Sequence, residues 1–148
     1  MKKMKMMLVD DEERFLSTTK KLLEKKGYDV VTASSGAEAL EKIRVQNIHV
    51  VILDVKMPGM DGIAVLKEIK KRFPLTEVIM LTGHATMESA VEGLKSGAID
   101  YLMKPADLDE IIKKAEDAFA KTQSLEEKIR VAQMRKIVKS PSEIIQDS

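Results

Sequence analysis

Five residues with reactive or charged side chains each follow a short apolar run directly. Asp10 and Asp11 follow the first such run, Asp54 the third, Thr82 the fourth and Lys104 the fifth. If the runs are parallel strands of one sheet, their carboxyl ends share an edge, and we expect the three carboxylates, the hydroxyl and the ammonium to meet there. The sequence therefore predicts one charged site assembled from distant parts of the chain.

These residue types favour phosphoryl transfer. Carboxylates held close together repel one another, and a hard divalent cation such as Mg²⁺ between them makes the arrangement favourable. Together with a bound Mg²⁺, Lys104 is suited to neutralise the oxygens of a phosphoryl group, and the Thr82 hydroxyl offers one of them a hydrogen bond. A carboxylate would then be the nucleophile and would form an acyl phosphate.

Each of these residues also has a structural explanation when it is taken alone. Asp10 and Asp11, with two glutamates behind them, are typical of the cap and acidic first turn of a helix. Thr82 fits a turn or a helix cap, and Lys104 fits a solvated loop lysine before a proline. Asp54 follows an apolar run that we expect to be buried, so it is the hardest to explain as a cap. Their coincidence at successive strand ends favours the functional interpretation.

The elements that would position these residues follow from the alternation of apolar runs with amphipathic stretches. Strands are predicted over residues 6–9, 28–32, 48–53, 78–81 and 99–103. The first helix is predicted from Phe15, Thr19, Leu22 and Leu23, and others over residues 36–45, from about 63 to 73, over 87–95 and from 108 onward. Five βα units in succession predict an α/β fold: a doubly wound, five-stranded parallel sheet with helices on both faces.

Composition limits the function classes. The 148 residues fit one domain with some additional length, and 33% charged and 44% hydrophobic residues are typical of a soluble globular protein. A net charge of +1 gives no general attraction to nucleic acid or to an anionic membrane. The absence of cysteine excludes disulfides, thiolate metal sites and thiol nucleophiles. The apolar run at residues 6–9 is too short for a signal peptide or a membrane span, so we expect a cytoplasmic protein.

Four segments resemble the receiver domain of two-component response regulators. They are LVDDE at residues 8–12, VILDVKMPGMDG at 51–62, MLTG at 80–83 and GAIDYLMKP at 97–105. The resemblance extends from about Lys5 to Phe119, with every motif in order. It implies a flavodoxin-like sheet with strand order 2-1-3-4-5 and a phosphorelay switch, in which Asp54 accepts a phosphoryl group from a sensor histidine kinase or a histidine phosphotransfer protein.

The resemblance also implies a role for each site residue. Asp10 and Asp11 form the acidic pocket, and Mg²⁺ is bound by Asp11, Asp54 and the backbone carbonyl of Lys56. Thr82 binds a phosphoryl oxygen, as does the lysine at position 104, whose peptide bond to Pro105 is expected to be cis. Such a domain catalyses its own phosphorylation and dephosphorylation and is not a conventional enzyme.

Further positions are implied to form the switch. Thr82 moves toward the phosphoryl group and Tyr101 rotates inward, which alters the surface of the fourth helix, fifth strand and fifth helix for a downstream output protein or domain. Lys56 and His84, two residues beyond Asp54 and Thr82, occupy positions that tune the lifetime of the phosphorylated state. Taken alone, Tyr101 fits a half-buried strand aromatic and His84 an exposed loop histidine.

Two alternatives compete with a phosphorylated receiver. One is a pseudo-receiver that binds partners without phosphorylation, but such proteins usually lack part of the acidic pocket or the lysine. The other is an aspartate-nucleophile phosphatase of the haloacid-dehalogenase kind. That class carries a second aspartate two residues after the nucleophile, where Lys56 stands here.

The chain is expected to divide into a receiver domain at residues 1–120 and a helical tail or linker at 121–148. Leu125, Ile129 and Ala132 follow a helical spacing and permit a coiled-coil homodimer without establishing one. Residues 140–143 resemble a capping box that opens another short helix. With no room for a DNA-binding or ATPase module, we expect a stand-alone receiver or a part of a longer regulator, with no nucleic-acid or membrane contact through this chain.

Overall fold

The computed structural model describes residues 3–57, 60–83 and 87–138. Its strands are β1 (Lys5–Val9), β2 (Asp29–Ala33), β3 (Val50–Leu53), β4 (Lys56–Met57), β5 (Met60–Asp61), β6 (Glu77–Thr82) and β7 (Asp100–Met103). Its helices are α1 (Glu13–Lys25), α2 (Gly36–Val45), α3 (Gly62–Arg72), α4 (Met87–Lys95) and α5 (Leu108–Val138).

Within those residues, five strands form one parallel sheet in the order β2-β1-β3-β6-β7. This confirms the predicted order 2-1-3-4-5, with β6 and β7 as the fourth and fifth strands. The remaining two, β4 and β5, pair antiparallel as a small hairpin in a stretch where no strand was predicted. The neighbouring strands β1 and β3 end directly before Asp10 and Asp54, respectively.

The apolar strand residues pack on two sides because successive side chains of a strand point to opposite faces. Met7 and Val9 of β1 belong to the cluster that includes buried residues of α2 and α3. Met6 and Leu8 belong to the cluster that includes buried residues of α1 and α5. Helices on both faces explain why each strand reads as a continuous apolar run.

The buried stripe of α1 differs from the predicted one. Leu16, Thr19 and Leu23 are buried, whereas Leu22 is exposed and Phe15 is half-buried. The spacing of three and four residues is that of one helix face, but it starts at Leu16. The predicted helix is present, but Leu22 faces solvent and Phe15 lies at the edge of the buried stripe.

Helix α5 continues without interruption through the predicted domain boundary at residue 120. The last residue of α5 that is buried within the described part of the chain is Thr122, whose hydroxyl donates to the carbonyl oxygen of Leu75 at 3.3 Å. The predicted capping box at residues 140–143 lies outside the described residues, and the division of the chain stays a prediction. Over the ranges given above, no helix combines the length and the apolar character needed to cross a membrane.

Candidate functional site

Asp10 is held at the end of β1 by its backbone and by its own carboxylate. Its amide donates to Ala33 at 3.1 Å, which continues the ladder to β2 by one residue. Its Oδ1 atom accepts a 2.9 Å hydrogen bond from the amide of Glu12, just before α1 begins. Asp10 is not the cap of α1, which follows Glu12, but this oxygen stabilises the turn that leads into the helix. The other oxygen faces the site.

Asp54 follows β3 and lies beside Asp10. Its amide donates to the carbonyl oxygen of Val9 at 2.9 Å, so the two strand ends are in register. Oxygen atoms of Asp10, Asp11 and Asp54 all lie within 4.8 Å of one another. Asp10 and Asp54 are buried, whereas Asp11 is exposed at the rim of the group. Three carboxylates this close favour a bound hard cation, because their oxygens are the ligands that Mg²⁺ prefers.

Val55, directly after Asp54, lies against the first residue of α3. The amide of Gly62 donates to the carbonyl oxygen of Val55 at 3.1 Å, and the Asp61 carboxylate caps α3 by accepting from the amide of Ile63 at 3.0 Å. A Cβ atom at position 62 would lie 2.3 Å from that Val55 oxygen. Only glycine allows so close an approach, so this residue fixes the path of the chain beside Asp54.

Lys104 supplies the positive charge of the site from the end of β7. Its Nζ atom lies 2.5 Å from Asp10 Oδ2, 3.5 Å from Glu12 Oε1 and 3.8 Å from Asp54 Oδ2. Its peptide bond to Pro105 is cis, as the resemblance implied. The ammonium therefore lies between the carboxylates that the sequence predicted to meet it.

The charge on Lys104 is well maintained. Burial by itself lowers the pKa of the amine, because desolvation disfavours the charged form. The hydrogen bond to Asp10 and the charges of Asp10, Asp54 and Glu12 act in the opposite direction and prevail, so the pKa is raised above its ordinary value. The site thus keeps a permanent cation beside Asp54 at neutral pH.

The other predicted residues are distributed around this centre. Thr82 is buried and is the last residue of β6, whereas it was predicted to follow the strand directly. Its carbonyl oxygen accepts a hydrogen bond from the amide of Lys104 at 3.1 Å. Tyr101 is half-buried on β7 and packs against the core. The backbone of Lys56 opens the small hairpin two residues after Asp54. His84 lies outside the described residues.

Two residues near the site were not predicted to be there. Glu12 Oε1 approaches Lys104 Nζ, and the ring centroid of Phe15 is 4.4 Å from the same atom. The sequence predicts Glu12 in the acidic first turn of a helix and Phe15 on that helix, with no site role for either. Their position within four residues of Asp11 was a signal, because the first residues of a helix that follows a strand end lie near the same edge of the sheet.

The sequence pattern of the response regulator receiver domain matches residues 6–116. This chain belongs to the response regulator receiver domain family. The matched residues include all four charged residues of the site, Asp10, Asp11, Asp54 and Lys104.

Curated relatives place this receiver domain among two-component regulators. It is 41% identical over 139 residues to the transcriptional regulatory protein ZraR of Escherichia coli K12, covering 92% of this chain and 32% of that protein. It is 39% identical over 113 residues to the DNA-binding transcriptional regulator NtrC of the same organism, covering 76% of this chain and 24% of that protein. The chain thus spans a third or less of the length of these relatives.

Solved structures agree with the fold. A response regulator receiver domain protein from Clostridium thermocellum is 39% identical with a TM-score of 0.78, over 82% of this chain and 98% of that one. A CheY-like receiver domain protein from Methanospirillum hungatei is 32% identical with a TM-score of 0.79, over 83% and 98%. The beryllofluoride-activated NtrC4 receiver domain dimer is 36% identical with a TM-score of 0.75, over 80% and 98%.

Proposed function

We propose that this receiver domain is a phosphorelay switch that accepts a phosphoryl group on Asp54 from a sensor histidine kinase or a histidine phosphotransfer protein. One observation carries the proposal: the carboxylates of Asp10, Asp11 and Asp54 meet the Lys104 ammonium at the carboxyl edge of the sheet. Such a constellation has the nucleophile and the charges that phosphoryl transfer to a carboxylate requires. A cytoplasmic location is part of the proposal, as for other response regulators.

The chain's own residues have distinct tasks in this reaction. An oxygen of Asp54 attacks phosphorus, the bond from phosphorus to the donor's nitrogen breaks, and its electron pair stays with the donor. The product is an acyl phosphate on Asp54. Lys104 lies 3.8 Å from the attacking carboxylate, near enough to neutralise charge on the phosphoryl oxygens as they arrive. Thr82, at the end of the neighbouring strand, is proposed to donate a hydrogen bond to one of them.

The cluster of three carboxylates, Asp10, Asp11 and Asp54, fits a magnesium ion. Its oxygens lie within 4.8 Å of one another, they are hard ligands, and Lys104 alone cannot balance three negative charges. Asp10, Asp11 and Asp54, with the backbone carbonyl of Lys56, would hold the ion. When bound, it would supply further neutralisation of the phosphoryl oxygens.

The alternatives are less well supported. A pseudo-receiver would not need an intact acidic group together with the lysine, and this chain has both. A haloacid-dehalogenase-like phosphatase would need an aspartate where Lys56 stands, and the family match favours a receiver.

The proposed output is a change in the surface formed by α4, β7 and α5, reported by Thr82 and Tyr101. On this surface Met87, Val91 and Leu94 of α4 and Met103 of β7 are exposed, which is more apolar surface than a solvated face requires. Phosphorylation would change how this surface binds a downstream output protein or domain. Lys56 and His84 are proposed to set how long the change lasts.

We further propose that two copies associate through α5. The helix continues past its last buried residue, Thr122, with Leu125 and Ile129 exposed on the stripe that packs against the sheet in the domain. A receiver domain similar to this one, that of NtrC4, forms a dimer in its beryllofluoride-activated form.

The decisive experiment is the intact mass of the protein after incubation with acetyl phosphate and Mg²⁺. We expect one added phosphoryl group in the wild type, none in Asp54→Asn and none with a chelator. Asp29→Asn removes an exposed aspartate at the start of β2, far from the site, and should be phosphorylated like the wild type. Addition to Asp54→Asn would disprove the assignment of the acceptor. Failure of the wild type with both acetyl phosphate and phosphorylated histidine kinases would favour the pseudo-receiver.

A further inference from the structure

The aromatic ring of Phe15 lies against the amine that the proposed reaction uses. Lys104 Nζ stands over this ring, 4.4 Å from its centroid. The same atom also lies 2.5 Å from Asp10, 3.5 Å from Glu12 and 3.8 Å from Asp54. The Lys104 side chain is only 18% exposed, so the carboxylates and the ring together shield it from most of the solvent.

The ring attracts the amine without occupying any of its hydrogen atoms. An ammonium has three N–H donors and no acceptor. Carboxylates take these donors, whereas the face of a phenyl ring attracts a cation through its quadrupole. This attraction depends only weakly on how the ammonium is rotated. Phe15 can therefore hold Nζ near the site while its donors turn from one oxygen to another.

Such freedom matters when the charge distribution of the site changes. Nζ is paired most closely with Asp10, at 2.5 Å, and its 3.8 Å separation from Asp54 is too long for a hydrogen bond. A phosphoryl group on Asp54 brings new oxygen acceptors to that side. To reach them, the ammonium must reorient while it remains at the edge of the sheet.

We infer that Phe15 is a positioning residue for phosphoryl acceptance, acting through Lys104. The inference rests on the proposed function, since it concerns the same reaction at Asp54. It adds a residue to which no role was predicted. Phe15 keeps the amine close to Asp54, limits its hydration and lets its donors exchange Asp10 for phosphoryl oxygens.

Core packing is the competing explanation. Phe15 is half-buried and packs against the cluster that contains Leu16 and Leu23. If packing were its whole role, an aliphatic side chain of similar size would serve the reaction as well. Phe15→Leu keeps an apolar side chain but removes the π face, whereas Phe15→Tyr keeps the face at nearly the same size. The two variants therefore separate the explanations.

The test is the rate of phosphorylation of the whole chain by acetyl phosphate, followed by intact mass over a range of Mg²⁺ concentrations. A small donor excludes any effect of Phe15 on kinase docking. We expect Phe15→Leu to lower the rate at saturating Mg²⁺ about three- to tenfold, the range for a partly desolvated cation–π contact. The Mg²⁺ concentration at half-maximal rate should stay within about twofold of the wild type, because the carboxylates are unchanged. Phe15→Tyr should react within about twofold of the wild type.

The outcomes are distinguishable. Equal rates for Phe15→Leu and the wild type, or equal losses in both variants, overturn the positioning role and leave phosphoryl acceptance intact. A loss in Phe15→Leu that disappears at high Mg²⁺ also overturns it, since the defect would then lie in metal binding. No phosphorylation of the wild type overturns the proposed function itself, and the inference with it. Circular dichroism and the urea midpoint of each variant establish that the rates refer to folded protein.

Discussion

Lys104 and Asp10, 94 residues apart in the sequence, form a 2.5 Å ion pair at the carboxyl edge of the sheet. Their strands are not neighbours, because β3 and β6 lie between β1 and β7. The lysine side chain therefore reaches across the ends of two strands. Asp10 is 2% exposed and Lys104 18%, so little water is available to compensate for the loss of either partner.

Replacement of Lys104 by methionine should destabilise the protein when Mg²⁺ is absent. The buried Asp10 carboxylate would lose its partner beside two other carboxylates, and we expect the free energy of unfolding to fall by about 2–3 kcal/mol. Urea unfolding followed by circular dichroism in chelator measures this. The control is Lys114→Met, which breaks a 2.9 Å ion pair with Asp100. The Lys114 side chain is 29% exposed and that of Asp100 is 43% exposed. Its cost should stay below about 1 kcal/mol, and equal costs would contradict the prediction.

Magnesium should stabilise the wild type, because an ion that binds only the folded state shifts the unfolding equilibrium. At a concentration of about one hundred times Kd the gain is about 2.7 kcal/mol. Asp11→Asn should abolish most of the gain, and the ion-free stability should stay the same or rise, because one of three mutually repelling carboxylates is removed. Thermal unfolding with and without Mg²⁺ measures both effects. Asp29→Asn should keep the full stabilisation by Mg²⁺. A stabilisation of similar size in Asp11→Asn would argue against the cluster of three carboxylates as the binding site.

Alanine at position 62 should disturb both stability and phosphorylation. Its Cβ atom would lie 2.3 Å from the Val55 carbonyl oxygen and 2.5 Å from the Val55 Cα atom, so backbone must move. We expect a loss of about 2–4 kcal/mol in the free energy of unfolding, together with slower phosphorylation, because Val55 follows Asp54 directly.

Gly83→Ala is the matched control for that prediction. Its Cβ atom would meet Lys104 Cβ at 3.8 Å, which is an ordinary contact. The change should cost less than about 0.5 kcal/mol. Urea unfolding of both variants gives the comparison, and a Gly62→Ala protein as stable as Gly83→Ala would show that the loop can relax around an added methyl group.

Much of the fold was predictable because a strand buried on both faces must be apolar throughout. Residues 50–53 form such a run, and the polar residue that ends it marks the edge of the sheet. The site followed from this, because the ends of parallel strands must meet. The sequence thus predicts that Asp10, Asp11, Asp54 and Lys104 lie close together, and the structure does bring them together.

The remainder depended on packing that a period of 3.6 residues does not specify. Leu16 and Leu22 both fit an apolar stripe of α1, and only contact with the sheet selects Leu16. The hairpin of β4 and β5 contains two residues in each strand, too few for any periodicity. The place of Phe15 depends on how far the Lys104 side chain reaches across the sheet edge, which the sequence does not encode locally.

Tyr28 should titrate at unusually high pH. Its hydroxyl donates a hydrogen bond to Glu116 of α5, and this bond, with burial and the charge of Glu116, raises the pKa of Tyr28 from 10.0 to about 12. A raised pKa means that the folded state favours the neutral phenol. The resulting stabilisation is complete below pH 10 and is lost as the pH rises through about 12.

Absorbance of the ionised phenol measures this in a Tyr101→Phe background, where Tyr28 is the only tyrosine left of the two in the chain. At about pH 11, Tyr28 should be mostly protonated, and in a further Glu116→Ala variant it should be mostly ionised. Circular dichroism at the same pH establishes that both proteins are folded. Identical titration midpoints with and without Glu116→Ala would mean that the hydrogen bond from Tyr28 to Glu116 does not form in solution.

Association of two copies should depend on one stripe of α5. Ile111, Ala115, Ala118 and Thr122 are buried at alternating spacings of four, three and four residues. Leu125, Ile129 and Ala132 continue this heptad spacing, but Leu125 is 47% and Ile129 41% exposed. The helix thus presents to solvent the same face that it buries in the domain. A second copy of the helix can cover it by the packing of a coiled coil.

Glutamate at both Leu125 and Ile129 should therefore give a monomer under conditions in which the wild type sediments as a dimer. Buried charges without partners oppose association, whereas Leu125 and Ile129 are exposed in the single chain, so the domain should keep its urea midpoint. Arg130→Glu also changes charge on α5, but on the exposed face beside Glu127, and should leave the dimer intact. Sedimentation is measured with and without acetyl phosphate and Mg²⁺, because phosphorylation would act on the neighbouring surface of α4 and β7. A wild type that stays monomeric in both states would exclude α5 as a dimer interface.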